Sequence, residues 1–168
     1  MFQVASITKS FKEKAVLKGV SFSIEEGDKI ALLGNNGAGK STLFNIIAGQ
    51  LQADSGTIKT SLDFQKEIGM MPQGDLLIED LTVAELVELK SRMNQLKQAD
   101  INGLLEMVEL RDSRNQMVGS LSGGQKRRLS LLLTILNHPK LIFLDEPTTG
   151  MDLEAVDNFW KLLEQQEF

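Results

Sequence analysis

Gly34-Asn35-Asn36-Gly37-Ala38-Gly39-Lys40-Ser41 has the spacing glycine, four residues, Gly-Lys-Ser, which suits a loop that wraps polyphosphate in main-chain amides. Side chains would obstruct so close an approach, so glycines take the tight positions. Lys40 stands where an ammonium reaches the β- and γ-phosphates, and the Ser41 hydroxyl is a hard oxygen of the kind magnesium prefers. The helix expected from Lys40 onward adds its positive N-terminal end. Gly34 to Lys40, Ser41 and Thr42 are therefore the candidate nucleotide-binding residues. The plain alternative is a glycine-rich turn that happens to precede a lysine.

Two further segments carry chemistry. Leu141-Ile142-Phe143-Leu144 runs into Asp145-Glu146, which puts two carboxylates at the end of a strand, where ligands sit in open α/β sheets. Asp145 would hold magnesium through water, and Glu146 would accept a proton from an attacking water. Alone, such a pair is more often a strand meeting a solvated turn; its weight comes from the glycine loop upstream. Leu121-Ser122-Gly123-Gly124-Gln125 opens a helix that continues to Leu136, so free amides and a hydroxyl face outward at its start. Within one chain that is a second phosphate site without an evident phosphate, and by itself it reads as an ordinary capped helix.

These residues need elements to hold them. Lys29-Ile30-Ala31-Leu32-Leu33 is a mostly apolar run, the pattern of a strand buried on both faces of a parallel sheet. Before it, Val20 to Ile24 alternate as in a half-buried strand, and Glu25 to Asp28 make a turn. From Thr82 the period becomes helical: Val83, Leu86 and Val87 share one face, as do Ile101, Leu104, Leu105 and Val108. A last helix is expected to turn Leu153, Val156, Trp160 and Leu163 inward. The reading is one α/β domain over residues 1–168, with a core formed by 1–75 and 138–168 and a helical insertion at about 76–137.

Composition excludes several classes. The net charge is -5 and the pI about 5.0, so no positive field draws the chain onto nucleic acid. The longest apolar stretch, Leu129 to Leu136, is interrupted by Ser130 and Thr134 and falls short of a membrane span. Met1 leads straight into Phe2-Gln3-Val4 with no secretory pattern. The chain has no cysteine, which removes disulfides and thiolate metal sites and suits the cytosol.

Leu121 to Gln125, lying between the glycine loop and Asp145-Glu146, resembles the signature of ABC ATPases, and the motifs from Ile7 to Asp152 follow that family's order. The resemblance implies a P-loop NTPase (RecA-like) core with an N-terminal antiparallel β subdomain and an inserted α-helical subdomain, binding ATP and Mg2+. It implies a head-to-tail dimer with a second ATP-binding subunit, in which Ser122, Gly124 and Gln125 face the γ-phosphate held by the other subunit's loop. Gln73 resembles the glutamine that contacts magnesium or its water and joins the core to the helical lobe. Thr149-Gly150-Met151-Asp152 is similar to the segment that places an aspartate at the dimer interface, with methionine where leucine is usual. Phe11 matches the aromatic that stacks on adenine, with Val16 beside it; core packing is the other reading of Phe11. Lys40, Gln73 and Glu146 are then the catalytic residues, and Ser41, Gln73 and Asp145 the metal ligands.

The function so implied is an ATP-hydrolysing subunit that powers transport through transmembrane permease subunits, cytoplasmic and peripheral on the inner face of the cell membrane. The rivals are a soluble non-transport ABC-type ATPase and an ATP-binding module without turnover. Relatives carry a histidine downstream of the position of Asp152 that touches the γ-phosphate. The sequence ends at Phe168 before it, so C-terminal strands are expected to be missing, with a gap between the Lys29–Leu33 strand and the strand ending at Asp145. His138, before Pro139, is expected to be exposed at a helix end.

Overall fold

The computed structural model describes residues 2–74, 76–96 and 99–164, which cluster into two compact units, Met1–Gln65 and Lys66–Phe168. In the first, β1 (Phe2–Phe11), β2 (Lys14–Ile24) and β3 (Ser55–Thr60) form an antiparallel sheet in the order β2-β1-β3. β1 is central and buries Phe2, Val4 and Ile7. The alternation breaks at Ser6, which has a φ of 52°; the register shifts there against both neighbours. Gly56 faces this bulge at φ 95°, and a Cβ on it would lie 2.5 Å from the Ser6 carbonyl oxygen. Only glycine lets the strands meet at that point.

α1 (Lys40–Ile47) follows the glycine loop and buries Leu43, Phe44, Ile46 and Ile47. It ends as helices commonly do, with Gly49 in the left-handed region and its N–H donating to Ile46 O at 3.1 Å.

Lys29–Leu33 differs from expectation. It belongs to no strand, and Ile30, Leu32 and Leu33 are 54%, 53% and 88% exposed. A strand enclosed on both faces exists only where neighbours offer it a ladder, and among the described residues no strand pairs with this run.

A two-stranded sheet lies in the second unit. β4 (Ile68–Met71) and β5 (Leu141–Leu144) run parallel, Ile68 beside Leu141 through Met71 beside Leu144. With one neighbour, Leu141 to Leu144 are half-buried rather than enclosed. α2 (Val83–Met93) starts with a capping box: Thr82 Oγ1 accepts from the Glu85 N–H at 3.3 Å, and the Glu85 carboxylate accepts from the Thr82 N–H at 2.8 Å. α3 (Ile101–Met107) is capped by Asp100, which accepts from the Gly103 N–H.

α4 (Gly123–Ile135) is apolar on two sides. Leu129 and Leu132 pack with Val83, Val87, Leu105 and Val118, while Leu131 and Ile135 pack with Met71, Phe159 and Leu163. A side chain so enclosed contributes about 1.5–3 kcal/mol, which makes α4 the element on which both clusters depend. α5 (Leu153–Glu164) buries Ala155, Phe159 and Leu163, a stripe at intervals of four. The expected inner face is thus corrected: Leu163 is buried, but Leu153 is 90% and Trp160 45% exposed, and Val156 is partly covered. Leu153 opens the helix, with no preceding turn to cover it. His138 is exposed just beyond α4, as expected.

Candidate functional site

The glycine loop is built by local geometry. Gly37 and Gly39 have φ of 80° and 98°, and the Ala38 N–H donates to Asn35 O at 3.0 Å. Gly39 is the N-cap of α1, and a Cβ there would lie 2.9 Å from side-chain atoms of both Val16 and Leu17. β2 therefore packs directly against the loop, and glycine is required twice over, by its dihedral and by this contact. Lys40 folds back over the loop: Nζ donates to Gly34 O at 2.7 Å and to Asn35 O at 3.2 Å. Ser41 is exposed in the first turn of α1, and Thr42 partly so.

Phe11 ends β1 and is 48% exposed, so a large part of its ring is open to a stacking partner. The Lys9 ammonium lies 5.7 Å from its centroid. Lys9 also donates to Asp54 Oδ1 at 2.9 Å, and the Ser10 N–H donates to Oδ2 at 2.6 Å. The Lys9 hydrogen bond first, then that from Ser10, hold the Asp54 carboxyl below the usual carboxylate range.

In the second unit, Asp145 and Glu146 follow β5 and Gln73 follows β4 by two residues. Parallel pairing with Met71 beside Leu144 brings these loops side by side, and the Asp145 N–H donates to Met71 O at 2.9 Å. Gln73 Nε2 donates to Glu146 Oε2 at 2.9 Å. A carboxylate only accepts, so this contact fixes the amide: the nitrogen faces Glu146 and the Gln73 carbonyl oxygen is left as a donor atom for a cation. The Asp145 carboxylate is largely buried and has no hydrogen bond among the described residues. Carboxylate and amide oxygens are the donor chemistry that magnesium or its water shell takes. Among the described residues no three histidine or acidic side chains gather, so a cation would rely on single carboxylate, amide and hydroxyl oxygens.

Glu146 has a φ of 48°, a conformation that costs a residue with a Cβ about 1–2 kcal/mol unless its surroundings enforce it. Arg127, which sequence reasoning did not single out, supplies that enforcement. It is 3% exposed and donates to four main-chain carbonyls: Nε to Pro147 at 3.2 Å, Nη1 to Pro72 at 2.9 Å, Nη2 to Asp145 at 3.1 Å and to Glu146 at 2.8 Å. Between Lys126 and Arg128 it reads as part of a solvated basic face. The available signal was its place four and eight residues before Leu131 and Ile135, on their stripe of α4.

Ser122 is exposed at the N-cap of α4, and its Oγ accepts from the Gln125 N–H at 3.3 Å, which leaves the hydroxyl proton to donate outward. Gly123 and Gly124 have no atom within 4 Å of where a Cβ would stand, and amides in the first turn of a helix have no carbonyl partner within it. Gln125 is turned inward: Oε1 accepts from the Ser122 N–H at 2.9 Å and Nε2 donates to Ser113 Oγ at 3.1 Å. The polar groups of Gln125 thus serve the cap rather than the open surface. Asp152 does likewise at α5, accepting from the Ala155 N–H at 2.8 Å.

Comparison with known proteins matches these features. The sequence pattern of the ABC transporter family fits residues 17–149. The chain is 38% identical to the Nod factor export ATP-binding protein I of Rhizobium sp. (strain N33), over 95% of this chain and 57% of that protein. It spans about half the length of the curated relatives it matches. Among solved structures, an ATP-binding subunit of an ABC transporter superposes with a TM-score of 0.87 at 25% identity, over 99% of this chain and 75% of the other. A dimeric ATP-binding cassette in a post-hydrolysis state, bound to ADP and Pi, superposes with a TM-score of 0.85 at 28% identity, over 99% and 85%.

Proposed function

Since the chain belongs to the ABC transporter family and has the fold of its ATP-binding P-loop domains, we propose that it binds ATP with magnesium and hydrolyses it as half of a head-to-tail pair of such modules. The observation that carries this reading is the glycine loop with Lys40 at the start of α1, its ammonium resting on carbonyls that a phosphate would replace. The amides of the loop and Lys40 bind the β- and γ-phosphates, and the exposed face of Phe11, with Val16 nearby, receives the adenine.

Ser41 in the first unit, and Asp145 and the amide oxygen of Gln73 in the second, are each proposed as magnesium ligands by their donor chemistry, and the ion when bound neutralises charge on the phosphate oxygens. Glu146 accepts the proton of the attacking water while Gln73 keeps its carboxylate in place. Ser122 and the amides at Gly123 and Gly124 meet the γ-phosphate held by the second module, and Gln125 holds Ser122 in its cap. Asp152 lies at the interface of the pair. The work so released moves separate transmembrane subunits, as the name of the Nod factor export relative suggests, and places the chain on the cytoplasmic face of a membrane. Domain organisation follows the same reading: residues 1–75 and 138–168 make the α/β core and about 76–137 the helical lobe. Among the described residues no helix could itself cross a membrane.

The test is to measure ATP turnover against protein concentration and to purify the protein from membranes. Turnover that rises faster than linearly with concentration, together with co-purifying membrane proteins, is expected. Turnover without a membrane partner would point instead to a non-transport ATPase, and ATP binding without turnover to a binding module.

A further inference from the structure

The buried guanidinium of Arg127 stands where three segments meet: α4, which is capped by Ser122; the turn after β4, which carries Gln73; and the turn after β5, which carries Asp145 and Glu146. We propose that Arg127 is a positioning residue that locks Glu146 in its left-handed conformation and so holds the Glu146 carboxylate against Gln73. The inference rests on the role of Glu146 as the acceptor of the water's proton.

The geometry suits arginine and no other residue. Its planar fork offers five donors in fixed directions, and four carbonyls from two separate turns lie at 2.8–3.2 Å from three different nitrogens. A lysine in the same place is a single point of charge and could serve one turn or the other. The carbonyl held most closely is that of Glu146, whose own backbone departs most from relaxed geometry. A buried acceptor that loses its donor draws water or moves, and the Glu146 peptide, once released, has no reason to stay at positive φ. The carboxylate would then leave Gln73. Because α4 is capped by Ser122, the same side chain also ties the segment proposed to meet a second module's phosphate to the turn that carries the base.

Three variants of the full chain test this: Arg127→Met, which keeps bulk without donors; Arg127→Lys; and Arg127→Met combined with Glu146→Gln. The expected result for Arg127→Met is a fall in kcat of about 10- to 100-fold with ATP affinity within about threefold of the parent, and a smaller fall for Arg127→Lys. Added to Glu146→Gln, Arg127→Met should cost less than about twofold more, since residues acting through one another do not add. Fluorescence of Trp160, the single tryptophan, checks that each variant is folded. Independently of turnover, amide hydrogen exchange in Arg127→Met should quicken over residues 70–74 and 145–150 but not over α2. Parental kcat and parental exchange in those turns, or losses that multiply with Glu146→Gln, would overturn the proposal, as would exchange raised equally in α2. If Glu146→Gln alone left turnover unchanged, the role of Glu146 would fail, and the exchange data would still decide whether Arg127 holds the turn.

Discussion

Gln73 and Glu146, 73 positions apart in sequence, share a hydrogen bond of 2.9 Å from amide nitrogen to carboxylate oxygen. An amide in place of the carboxylate keeps the shape but has no basic oxygen to take a proton. Glu146→Gln is therefore expected to lower ATP turnover by roughly 10²–10⁴ with ATP binding retained, measured by phosphate release and by calorimetry. Turnover at the parent rate would assign the base elsewhere.

Lys40 Nζ donates to two carbonyls of the glycine loop. Replacing it by alanine should weaken ATP binding by several-fold to 100-fold, about 1–3 kcal/mol for a charge-assisted contact. Calorimetry with ATP and magnesium reads the change, and unaltered affinity would remove Lys40 from the phosphate site.

The loop glycines are not equivalent. Gly39→Ala forces a Cβ to within 2.9 Å of Val16 and Leu17 at φ 98°, whereas Gly37→Ala, at φ 80°, meets nothing within 4 Å. Both variants carry dihedral strain of about 1–2 kcal/mol, but Gly39→Ala must also displace β2. Thermal melts should place Gly39→Ala several degrees below Gly37→Ala; equal melting temperatures would show that the contact with β2 is soft.

Two carboxylates make stability sensitive to acid. Glu85 is held below the usual range first by the Thr82 N–H and then by its hydroxyl, and Asp54 first by Lys9 and then by the Ser10 N–H. A carboxyl whose pKa is lower in the folded than in the unfolded chain contributes above the unfolded value, near 4, and loses that contribution as pH falls through the folded value. Melting temperature should thus be level from about pH 7 to 5 and fall below about pH 4. Glu85→Gln should flatten part of that fall, and a variant as acid-sensitive as the parent would remove the capping box from the account.

What could be read from sequence was mostly local. Ser122 and Gln125 specify a cap within four residues, and the run Leu141–Leu144 is legible as a strand by itself, although its acidic end takes its meaning from the glycine loop upstream. The misreadings concern what surrounds a segment. Lys29–Leu33 has the composition of an enclosed strand, but enclosure depends on strands that other parts of the chain must provide. The inner face of α5 lies one residue from the expected one, on Ala155 and Phe159 rather than Val156 and Trp160, because both stripes satisfy the helical period and only the packing partners choose between them. Arg127 was hidden by its two basic neighbours, since a charge is usually solvated and only four converging carbonyls make its burial reasonable.

The exposed run of Lys29 to Leu33 bears on how long the protein lasts. A protease needs several residues free of ladder bonds, with accessible side chains to grip, and this stretch belongs to no strand and exposes Ile30, Leu32 and Leu33 immediately before the loop that holds Lys40. A first cut there would separate β2 from the glycine loop and, on the function proposed above, end nucleotide binding. A bound nucleotide stabilises the intact form by mass action and steadies the loop next to the cut. On that function, the lifetime of the chain and the occupancy of its loop would be governed by the same dozen residues.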